Sequence, residues 1–377
     1  MDFKKLTDYL DSLVLSGIPA CDCVIYQKHK PVYRHMNGFS DSKKTKPVSG
    51  NDIYWLFSAT KLFTCTAIMQ LAEKGKLDID EPVSKYLPAF IQMTVRDGDN
   101  IIPAKNFIKI RNLLTMTAGL NYDCNMPSIL EVKKRTNNKA TTQEIVNAIA
   151  KEPLSFEPST HYQYSLCHDV LAAVIEVVCG QTFGEYLQQN IFAPLGITKA
   201  TFRQTNETLL NMSAVYMYDD EKMTSTNIPV DNGYMLSENY ESGGAGLQCT
   251  VDDYIKFADA LANNGQNIDG TRIISKSSID KMRHNELNDI CYEDFKTLGK
   301  IGYSYGLGVR TLIDKAQSKG PVGEFGWDGA AGSYVMIDPI NNIAIFYAQH
   351  VHNCGYAYGV IHPTIRDLTY EILEINT

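Results

Sequence analysis

Strand-like sequence lies at both ends of this chain, and mostly helical sequence lies between them. Near the amino terminus, residues 21–26 and 32–36 are predicted to be two strands joined by a turn. After residue 302, further strand-like runs are separated by glycine turns and an Asp-Pro turn; they cover 303–309, 322–327, 333–337 and 343–349. Short turns make consecutive strands antiparallel. The predicted fold is therefore α/β (α+β), with one antiparallel sheet assembled from both ends and flanked by helices.

The middle of the chain is predicted to be a mostly helical insertion. Its clearest helix covers 168–179 and stops at Gly180, and another covers 183–192 and is expected to end before Pro194. Further helices are predicted at 110–116, 251–263, 277–283 and 363–375. We predict two domains: a sheet domain made of residues 1–57 plus 197–377, and a mostly helical domain of residues 58–196.

Composition excludes several classes of function. The formal net charge of -8, without a long basic run, argues against nucleic-acid binding. The first residues do not resemble a signal peptide, and no apolar stretch reaches the roughly 18 residues that a membrane helix needs. The nine cysteines are scattered and odd in number, which favours a reduced state. We expect a cytoplasmic protein with no nucleic-acid or membrane partner, and the sequence leaves its oligomeric state open.

Ser58 and Lys61 lie one turn apart at the start of a predicted helix that ends near Gly75. The first turn of a helix offers unpaired N–H groups and the positive end of the helix dipole. A serine hydroxyl becomes a nucleophile when a base takes its proton, and a lysine can be that base if burial lowers its pKa. The same spacing also fits the commoner case of a capping serine followed by a solvated lysine.

Two further stretches carry groups suited to the same chemistry. Tyr164 lies in a loop before a helix, where a phenol beside a lysine can relay protons; otherwise it is a buried aromatic residue with a hydrogen-bonded hydroxyl. The glycine-rich stretch 326–332 can supply an oxyanion-binding N–H, or be a tight hairpin turn. His350, His352 and Cys354 suggest a metal site, but a strand end with incidental polar residues is the better interpretation because no second ligand cluster is visible.

In this order, the three stretches resemble the motifs of the serine β-lactamase and penicillin-binding-protein superfamily. Within it, the chain is most similar to class C β-lactamases and family VIII carboxylesterases. The resemblance covers nearly the whole chain. It includes the sequence LLTMTAGL at 113–120 and the turn GGAGL at 243–247, which precedes a helix. The fold that it implies is β-lactamase/transpeptidase-like.

The resemblance also implies roles for individual residues. Ser58 is expected to be the acylated nucleophile and Lys61 its base partner. Tyr164 is expected to be the general base and later the acid toward the leaving group. The backbone N–H groups of Ser58 and Ala330 are expected to form the oxyanion hole.

Two departures from the superfamily pattern bear on the substrate. Tyr-Ser-Leu at 164–166 stands where the superfamily has Tyr-x-Asn, and Trp-Asp-Gly at 327–329 stands where it has Lys-Thr-Gly or His-x-Gly. The expected substrate-binding residues are Leu166, Trp327, Asp328 and Gly329. An aspartate beside the oxyanion site would repel the carboxylate of a penicillin or a peptidoglycan stem. Family VIII esterases commonly show Trp-Gly-Gly and Tyr-Ser-x at these places.

The resemblance therefore implies a serine hydrolase that forms a covalent acyl-enzyme with a small-molecule acyl substrate, most similar to an esterase acting on small neutral esters. It implies no cofactor and no metal. The alternatives are a β-lactamase or D-amino-acid peptidase, and a non-catalytic sensor or binding domain. The intact Ser58, Lys61 and Tyr164 argue against the non-catalytic alternative.

Overall fold

A computed structural model describes residues 1–375. In this part of the chain the strands are Ala20–Gln27 (β1), Lys30–Gly38 (β2), Ile53–Trp55 (β3), Thr94–Asp97 (β4), Asn100–Pro103 (β5), Val215–Asp219 (β6), Thr224–Ile228 (β7), Gln248–Thr250 (β8), Tyr303–Tyr305 (β9), Arg310–Leu312 (β10), Phe325–Asp328 (β11), Tyr334–Asp338 (β12), Ile343–Ala348 (β13) and Val351–His352 (β14). The α-helices are Lys4–Ser12 (α1), Lys61–Glu73 (α2), Ile110–Leu114 (α3), Pro127–Arg135 (α4), Thr142–Ile149 (α5), Cys167–Cys179 (α6), Phe183–Leu187 (α7), Ala193–Leu195 (α8), Asn206–Asn211 (α9), Val251–Ala262 (α10), Lys276–Met282 (α11), Asp289–Lys296 (α12) and His362–Ile372 (α13).

Seven antiparallel strands form the central sheet, in the order β2-β1-β13-β12-β11-β10-β9. Helix α10 packs on one face, against β1, β12 and β13. The apolar sides of α1 and α13 pack on the other face. Because helices cover both faces, every residue of β12 and β13 is buried. The predicted antiparallel sheet, assembled from both ends of the chain and flanked by helices, is confirmed.

Helix α2 lies at the centre of the helical part. Its residues from Lys61 to Leu71 are all buried, because α6, α7 and α11 pack around it. A helix that is enclosed on all sides needs no polar face, and apart from Lys61 this one carries no charge until its last residue. Helix α6 ends where the sequence predicts, with Gly180 in the left-handed conformation at φ 70°.

The two predicted domains share a continuous buried core. The ring of Phe63 in α2 stacks on Phe257 in α10, with centroids 3.9 Å apart and planes inclined by 17°. Helix α2 belongs to the predicted helical domain, and helix α10 belongs to the predicted sheet domain. The division at residues 57 and 197 stays a prediction.

Two predicted elements differ from the structure. The run 303–309 is not one strand: β9 ends at Tyr305, the chain turns at Gly306 and Gly308, and β10 begins only at Arg310. Gly308 has φ +85°, and a Cβ there would lie 2.7 Å from the Cβ of Cys65. The helix predicted to end before Pro194 continues to Leu195. A π-helical turn at Gln188–Phe192 shifts the hydrogen-bond pattern just before the proline, so Pro194 falls in the first turn of α8.

Within residues 1–375, no single helix has the length and apolar character needed to cross a membrane. Helix α6 and the segment Phe183–Leu195 meet that criterion only as a pair, with a bend of 74° between them. In the same part of the chain, no group of three or more His, Cys, Asp or Glu side chains is arranged to hold a metal ion.

Candidate active site

Ser58 lies in a 3-10 turn, Phe57–Thr60, that connects β3 to α2. The residue before it, Phe57, has φ +46°, a left-handed conformation that is unfavourable for a bulky side chain. The surrounding structure holds it there: Phe57 is buried, and its ring lies 4.8 Å from that of His352. Such conformations cluster at functional sites. The turn leaves Ser58 as the one partly exposed residue among buried neighbours.

Lys61 is fully buried beneath Ser58. Its Nζ lies 3.1 Å from Ser58 Oγ, 2.8 Å from the carbonyl oxygen of Gly244 and 3.4 Å from the hydroxyl of Tyr122. Burial lowers the pKa of Lys61 to about 7, and the negative charge of Asp169 only partly opposes that shift. A substantial fraction of Lys61 is therefore an uncharged amine near neutral pH, able to accept a proton from the serine hydroxyl.

Tyr164 lies on the other side of this pair. Its hydroxyl accepts a 3.0 Å hydrogen bond from the indole Nε1–H of Trp327, whose ring stacks on the phenol. Lys61 Nζ lies 4.6 Å from the centre of the Tyr164 ring. Burial raises the pKa of Tyr164, and hydrogen bonds with Ser58 and Trp327 oppose that rise. The structure thus brings Tyr164 to Ser58 and Lys61, although Tyr164 is far from both in sequence.

Tyr122 is a component of this cluster that sequence reasoning missed. Its ring stacks on Tyr164, with centroids 5.5 Å apart and planes inclined by 10°, and it meets Tyr234 edge-on. Its hydroxyl is also the third hydrogen-bond partner of Lys61. The residue lies in the polar segment 121–140, which carries no periodic pattern, so no local signal distinguishes it from the other tyrosines.

A glycine turn holds the Lys61 amine in position. The buried carboxylate of Asp169 accepts hydrogen bonds from Tyr240, from Ser242 Oγ at 2.6 Å and from the N–H of Gly244 at 3.3 Å. This anchors the turn whose Gly244 carbonyl faces Lys61. A Cβ at Gly244 would lie 2.5 Å from the Asp169 carboxylate, so only glycine fits.

The glycine-rich stretch after β11 approaches the serine turn closely. A Cβ on Gly329 would lie 2.3 Å from the carbonyl oxygen of Leu56, two residues before Ser58. Among the backbone hydrogen bonds of loops and turns in residues 1–375, neither Ser58 N–H nor Ala330 N–H is a donor. The carbonyl of the Gly329–Ala330 peptide accepts a 2.8 Å hydrogen bond from the hydroxyl of Tyr358. That contact orients the peptide whose N–H is the predicted oxyanion donor.

The family model described as Beta-lactamase matches residues 14–353. The chain belongs to this family. It is 26% identical over 361 residues to Protein Rv1367c of Mycobacterium tuberculosis, covering 92% of this chain and 88% of that protein. It is 25% identical over 369 residues to Esterase EstB of Burkholderia gladioli, covering 90% of this chain and 87% of that protein. Among solved structures, EstCE1, a hydrolase with promiscuous acyltransferase activity, superposes with a TM-score of 0.80 at 25% identity, covering 98% of both chains.

Membership of the β-lactamase family makes the chain an enzyme of the serine hydrolase and acyltransferase class, and the resemblance stated from sequence is confirmed. The fold agrees: the described structure is 37% helical and 20% strand, and it matches β-lactamase/transpeptidase-fold structures with TM-scores of 0.7–0.8.

Asp328 has a different environment from the one expected. Successive side chains of a strand point to opposite faces, so Trp327 contacts Tyr164 while Asp328 is directed away from it. Asp328 forms ion pairs with Arg310, at 2.9 Å, and with Lys300. Burial would raise its pKa, but Lys300 and Arg310 outweigh that effect and hold the pKa well below its usual range. The expectation that Asp328 repels an anionic substrate is therefore corrected, because Lys300 and Arg310 neutralise this carboxylate.

Leu166 also differs from the expected substrate-binding residue. It caps the start of α6, and only 2% of its surface is exposed because it packs in the hydrophobic core. The superfamily asparagine offers an amide to a substrate, whereas the apolar side chain of Leu166 packs in the core.

His350 and His352 do not form a metal site. His350 Nδ1 bonds the carbonyl of Ser213 at 3.0 Å, and its Nε2 accepts the N–H of Trp55 at 3.3 Å. Burial lowers the pKa of His350 to about 3, which keeps the ring neutral for these two contacts. Both ring nitrogens of His350 thus bond backbone groups, and the interpretation of 350–354 as a strand end with incidental polar residues stays a prediction.

Proposed function

We propose that this protein is a serine esterase that forms a covalent acyl-enzyme on Ser58 and acts on small neutral esters. The single observation that carries the proposal is the buried Lys61 amine, with a pKa of about 7, placed 3.1 Å from Ser58 Oγ. A base poised near the working pH is what a hydroxyl nucleophile requires. The names of EstB and EstCE1 support the choice of esters as the substrate class.

In the proposed first step, Lys61 accepts the proton of Ser58 as Oγ attacks the ester carbonyl. A bond forms between Oγ and the carbonyl carbon, and the bond to the alcohol oxygen then breaks. Tyr164, in contact with Lys61 and Ser58, returns the proton to the departing alkoxide. In the second step water, or an alcohol acting as acyl acceptor, attacks the acyl carbon while Lys61 takes its proton. The bond between the acyl carbon and Ser58 Oγ then breaks, the proton passes to Oγ, and a carboxylic acid or a new ester is released.

The negative charge that develops on the carbonyl oxygen needs donors that are already in position. We assign this role to the N–H groups of Ser58 and Ala330. The left-handed Phe57 and the close approach of Gly329 to Leu56 support this assignment, because both hold these peptides in place before substrate arrives.

Trp327 supports a preference for neutral substrates. It occupies the position where β-lactam-processing relatives carry a cation, and its N–H donates to Tyr164 instead. An indole donor stabilises a phenolate partly, as a cation does, but it offers no charge to a substrate carboxylate. Tyr122, which stacks on Tyr164, and Tyr234, which meets Tyr122 edge-on, add further aromatic surface to the site.

The direct test is the hydrolysis of p-nitrophenyl butyrate by purified protein and by the Ser58→Ala variant. The variant is expected to lose roughly three orders of magnitude in kcat, as enzymes that lose a catalytic nucleophile do. Intact-mass spectrometry with a fluorophosphonate should give one adduct on the wild type and none on the variant. The matched control is Ser12→Ala in α1, which should retain activity and adduct. An adduct that persists on Ser58→Ala would refute the proposal.

A cytoplasmic location is proposed with it. All nine cysteines are free thiols in the structure, and seven of them are buried. Unpaired thiols in these numbers fit a reducing compartment.

A further inference from the structure

Asp169 is a fully buried carboxylate in the first turn of α6. Its hydrogen-bond donors are the hydroxyls of Tyr240 and Ser242 and the N–H of Gly244, and all three are uncharged. A buried carboxylate is strongly unfavourable unless hydrogen bonds and a cation offset the loss of its water. The start of a helix favours negative charge, but neutral donors and the helix dipole meet only part of this need.

All three donors bond the same oxygen of Asp169. Tyr240 donates to Oδ1 at 2.5 Å, Ser242 at 2.6 Å and the Gly244 N–H at 3.3 Å. Within residues 1–375, Oδ2 has no hydrogen-bond partner. It packs closely against Gly244, where a Cβ would lie 2.5 Å from it. Oδ2 therefore depends on an attraction through space for its stabilisation.

Lys61 lies on the other side of Gly244. The N–H of Gly244 donates to Asp169, and its carbonyl accepts a 2.8 Å hydrogen bond from Lys61 Nζ. Burial lowers the pKa of Lys61 to about 7, and the negative charge of Asp169 acts in the opposite direction. A single glycine thus connects the carboxylate to the amine, and the two groups interact electrostatically in a buried place where that interaction is strong.

The other titratable side chains that act on Lys61 or Asp169 are phenols, thiols and an imidazole. In the described part of the chain they are Tyr122, Tyr164, Tyr240, Cys124, Cys167 and His168. Burial raises the pKa of each phenol and thiol, and burial and Lys61 lower the pKa of the imidazole. These groups are therefore neutral in the resting enzyme near pH 7, and the charge of Lys61 is balanced by Asp169.

The proposed first step of the reaction creates a charge in this buried place. Lys61 Nζ takes the proton of Ser58 and becomes an ammonium group, while Oγ bonds the ester carbon and the carbonyl oxygen becomes the oxyanion. The oxyanion is assigned to the N–H groups of Ser58 and Ala330. The ammonium group needs a counter-charge of its own, because a buried cation without one is unfavourable.

We propose that Asp169 is a positioning residue for this reaction, and that its buried carboxylate is the counter-charge of the ammonium group that Lys61 becomes. Ser58, Lys61 and Asp169 then act as nucleophile, base and counter-charge, with Gly244 between the last two. The inference rests on the proposed function, because it takes Lys61 as the base. The charge of Asp169, and not only its hydrogen bonds, then affects both the rate and its dependence on pH.

Asp169→Asn removes the charge and keeps the shape. The amide oxygen can retain all three donors, and the amide nitrogen replaces Oδ2, which has no donor to lose. Without the negative charge the pKa of Lys61 falls, so the acid limb of kcat/KM for p-nitrophenyl butyrate should move down by about one pH unit. A weaker base also accepts the proton less readily, so the plateau above about pH 8 should fall roughly threefold to tenfold. A limb that stays in place or moves up overturns the proposal.

Two variants are matched to this one. Ser242→Ala removes one hydrogen bond to Asp169 and keeps the charge, so its acid limb should coincide with that of the wild type even if its rate is lower. Asp269→Asn removes the same charge from an exposed turn, and both its limb and its plateau should equal those of the wild type. A shift of the limb in either variant as large as in Asp169→Asn would assign the effect to hydrogen bonding or to net charge and overturn the proposal.

The protonation of Lys61 is also measured without turnover. Protein that contains lysine isotopically labelled at Cε is titrated by NMR spectroscopy, and the signal missing from the Lys61→Arg spectrum identifies Lys61. Its midpoint should lie about one pH unit lower in Asp169→Asn than in the wild type. An unchanged midpoint overturns the inference even in an active esterase. A lowered midpoint in a protein that hydrolyses no ester supports the coupling and refutes the esterase assignment.

Asp169→Ser keeps these measurements available if Asp169→Asn does not fold. It removes the same charge with a smaller side chain, so it should lower the NMR midpoint and the acid limb in the same direction. A folded Asp169→Ser protein with the wild-type midpoint overturns the proposal.

Discussion

The chemistry of Lys61 depends on the residues that enclose it. A solvated lysine is charged at neutral pH and cannot accept a proton, whereas burial lowers the pKa of this one to about 7. The contacts that retain it are the Gly244 carbonyl and the hydroxyls of Ser58 and Tyr122. The same residue type three positions after a serine would be unremarkable on an exposed helix.

This pKa predicts how activity depends on pH. Above pH 7 most of Lys61 is the free amine that accepts the Ser58 proton, and below pH 7 it becomes protonated and inactive as a base. We expect kcat/KM for p-nitrophenyl butyrate to fall about tenfold per pH unit below about pH 7. The rate is followed at a wavelength where product absorbance does not change with pH. A profile that stays flat from pH 8 down to pH 5 would contradict this role for Lys61.

Tyr358 offers a second test at the scale of one residue. Its hydroxyl donates to the carbonyl of the Gly329–Ala330 peptide, whose N–H is the proposed oxyanion donor. Tyr358→Phe should therefore lower kcat roughly fivefold to tenfold and leave KM nearly unchanged, since the contact matters most in the transition state. Tyr356→Phe, two residues away, is the matched control and should keep the wild-type kcat. A change confined to KM would assign Tyr358 to substrate binding instead.

At the scale of the element, the alternation of β11 separates two adjacent residues. Trp327 points to the catalytic tyrosine proposed here, and Asp328 points to the ion pairs with Lys300 and Arg310. A one-residue shift in the register of this strand would exchange their environments. The pairing of Trp327 with Val335 in β12 fixes the register.

Asp328→Asn tests this arrangement. Removing the carboxylate leaves the buried Arg310 and the partly buried Lys300 without this partner, so the free energy of unfolding should fall by roughly 3–5 kcal/mol. Urea denaturation followed by circular dichroism measures the change. Asp269→Asn on an exposed turn is the control and should shift stability little. If Asp328→Asn keeps full stability and instead improves turnover of a carboxylate-bearing substrate, Asp328 acts on the substrate after all.

At the scale of the whole molecule, the two structural halves meet at the serine turn. The turn before α2 supplies Ser58 and the start of α2 supplies Lys61. The loop before α6 supplies Tyr164, strand β11 supplies Trp327, and the turn after β11 supplies Ala330. Phe63 and Phe257 stack between α2 and α10, which ties the serine turn to the helix that covers the sheet. The geometry of the site is therefore a property of the complete fold rather than of one segment.

The preference between an ester and a β-lactam tests the function of the assembled site. A β-lactam carboxylate finds no cation at the position of Trp327, and the loss of charge-assisted hydrogen bonds is worth about 1.5–3 kcal/mol. We expect kcat/KM for nitrocefin to lie roughly tenfold to a hundredfold below that for p-nitrophenyl butyrate on the same preparation. Ser58→Ala should abolish both activities. A preference for nitrocefin would replace the esterase assignment with the β-lactamase alternative.

Short-range patterns were enough to predict the elements that position the site. The spacing of Ser58 and Lys61, the helix stop at Gly180 and the strand runs near the carboxyl terminus each depend on a few neighbouring residues. Patterns of this kind report backbone periodicity and turns, and these are local properties. They also carried the resemblance to the family, which the match over residues 14–353 confirms.

Only the tertiary structure decided what surrounds these residues. The contact of Lys61 with Tyr122, the neutralised Asp328 and the Tyr358 hydrogen bond all join groups that are 18 or more positions apart. A pKa and a charge balance depend on burial and on partners brought together by folding, so no local pattern predicts them. The sequence by itself therefore determined which residues we propose for the chemistry, and the fold determined their burial, their orientation and their hydrogen-bond partners.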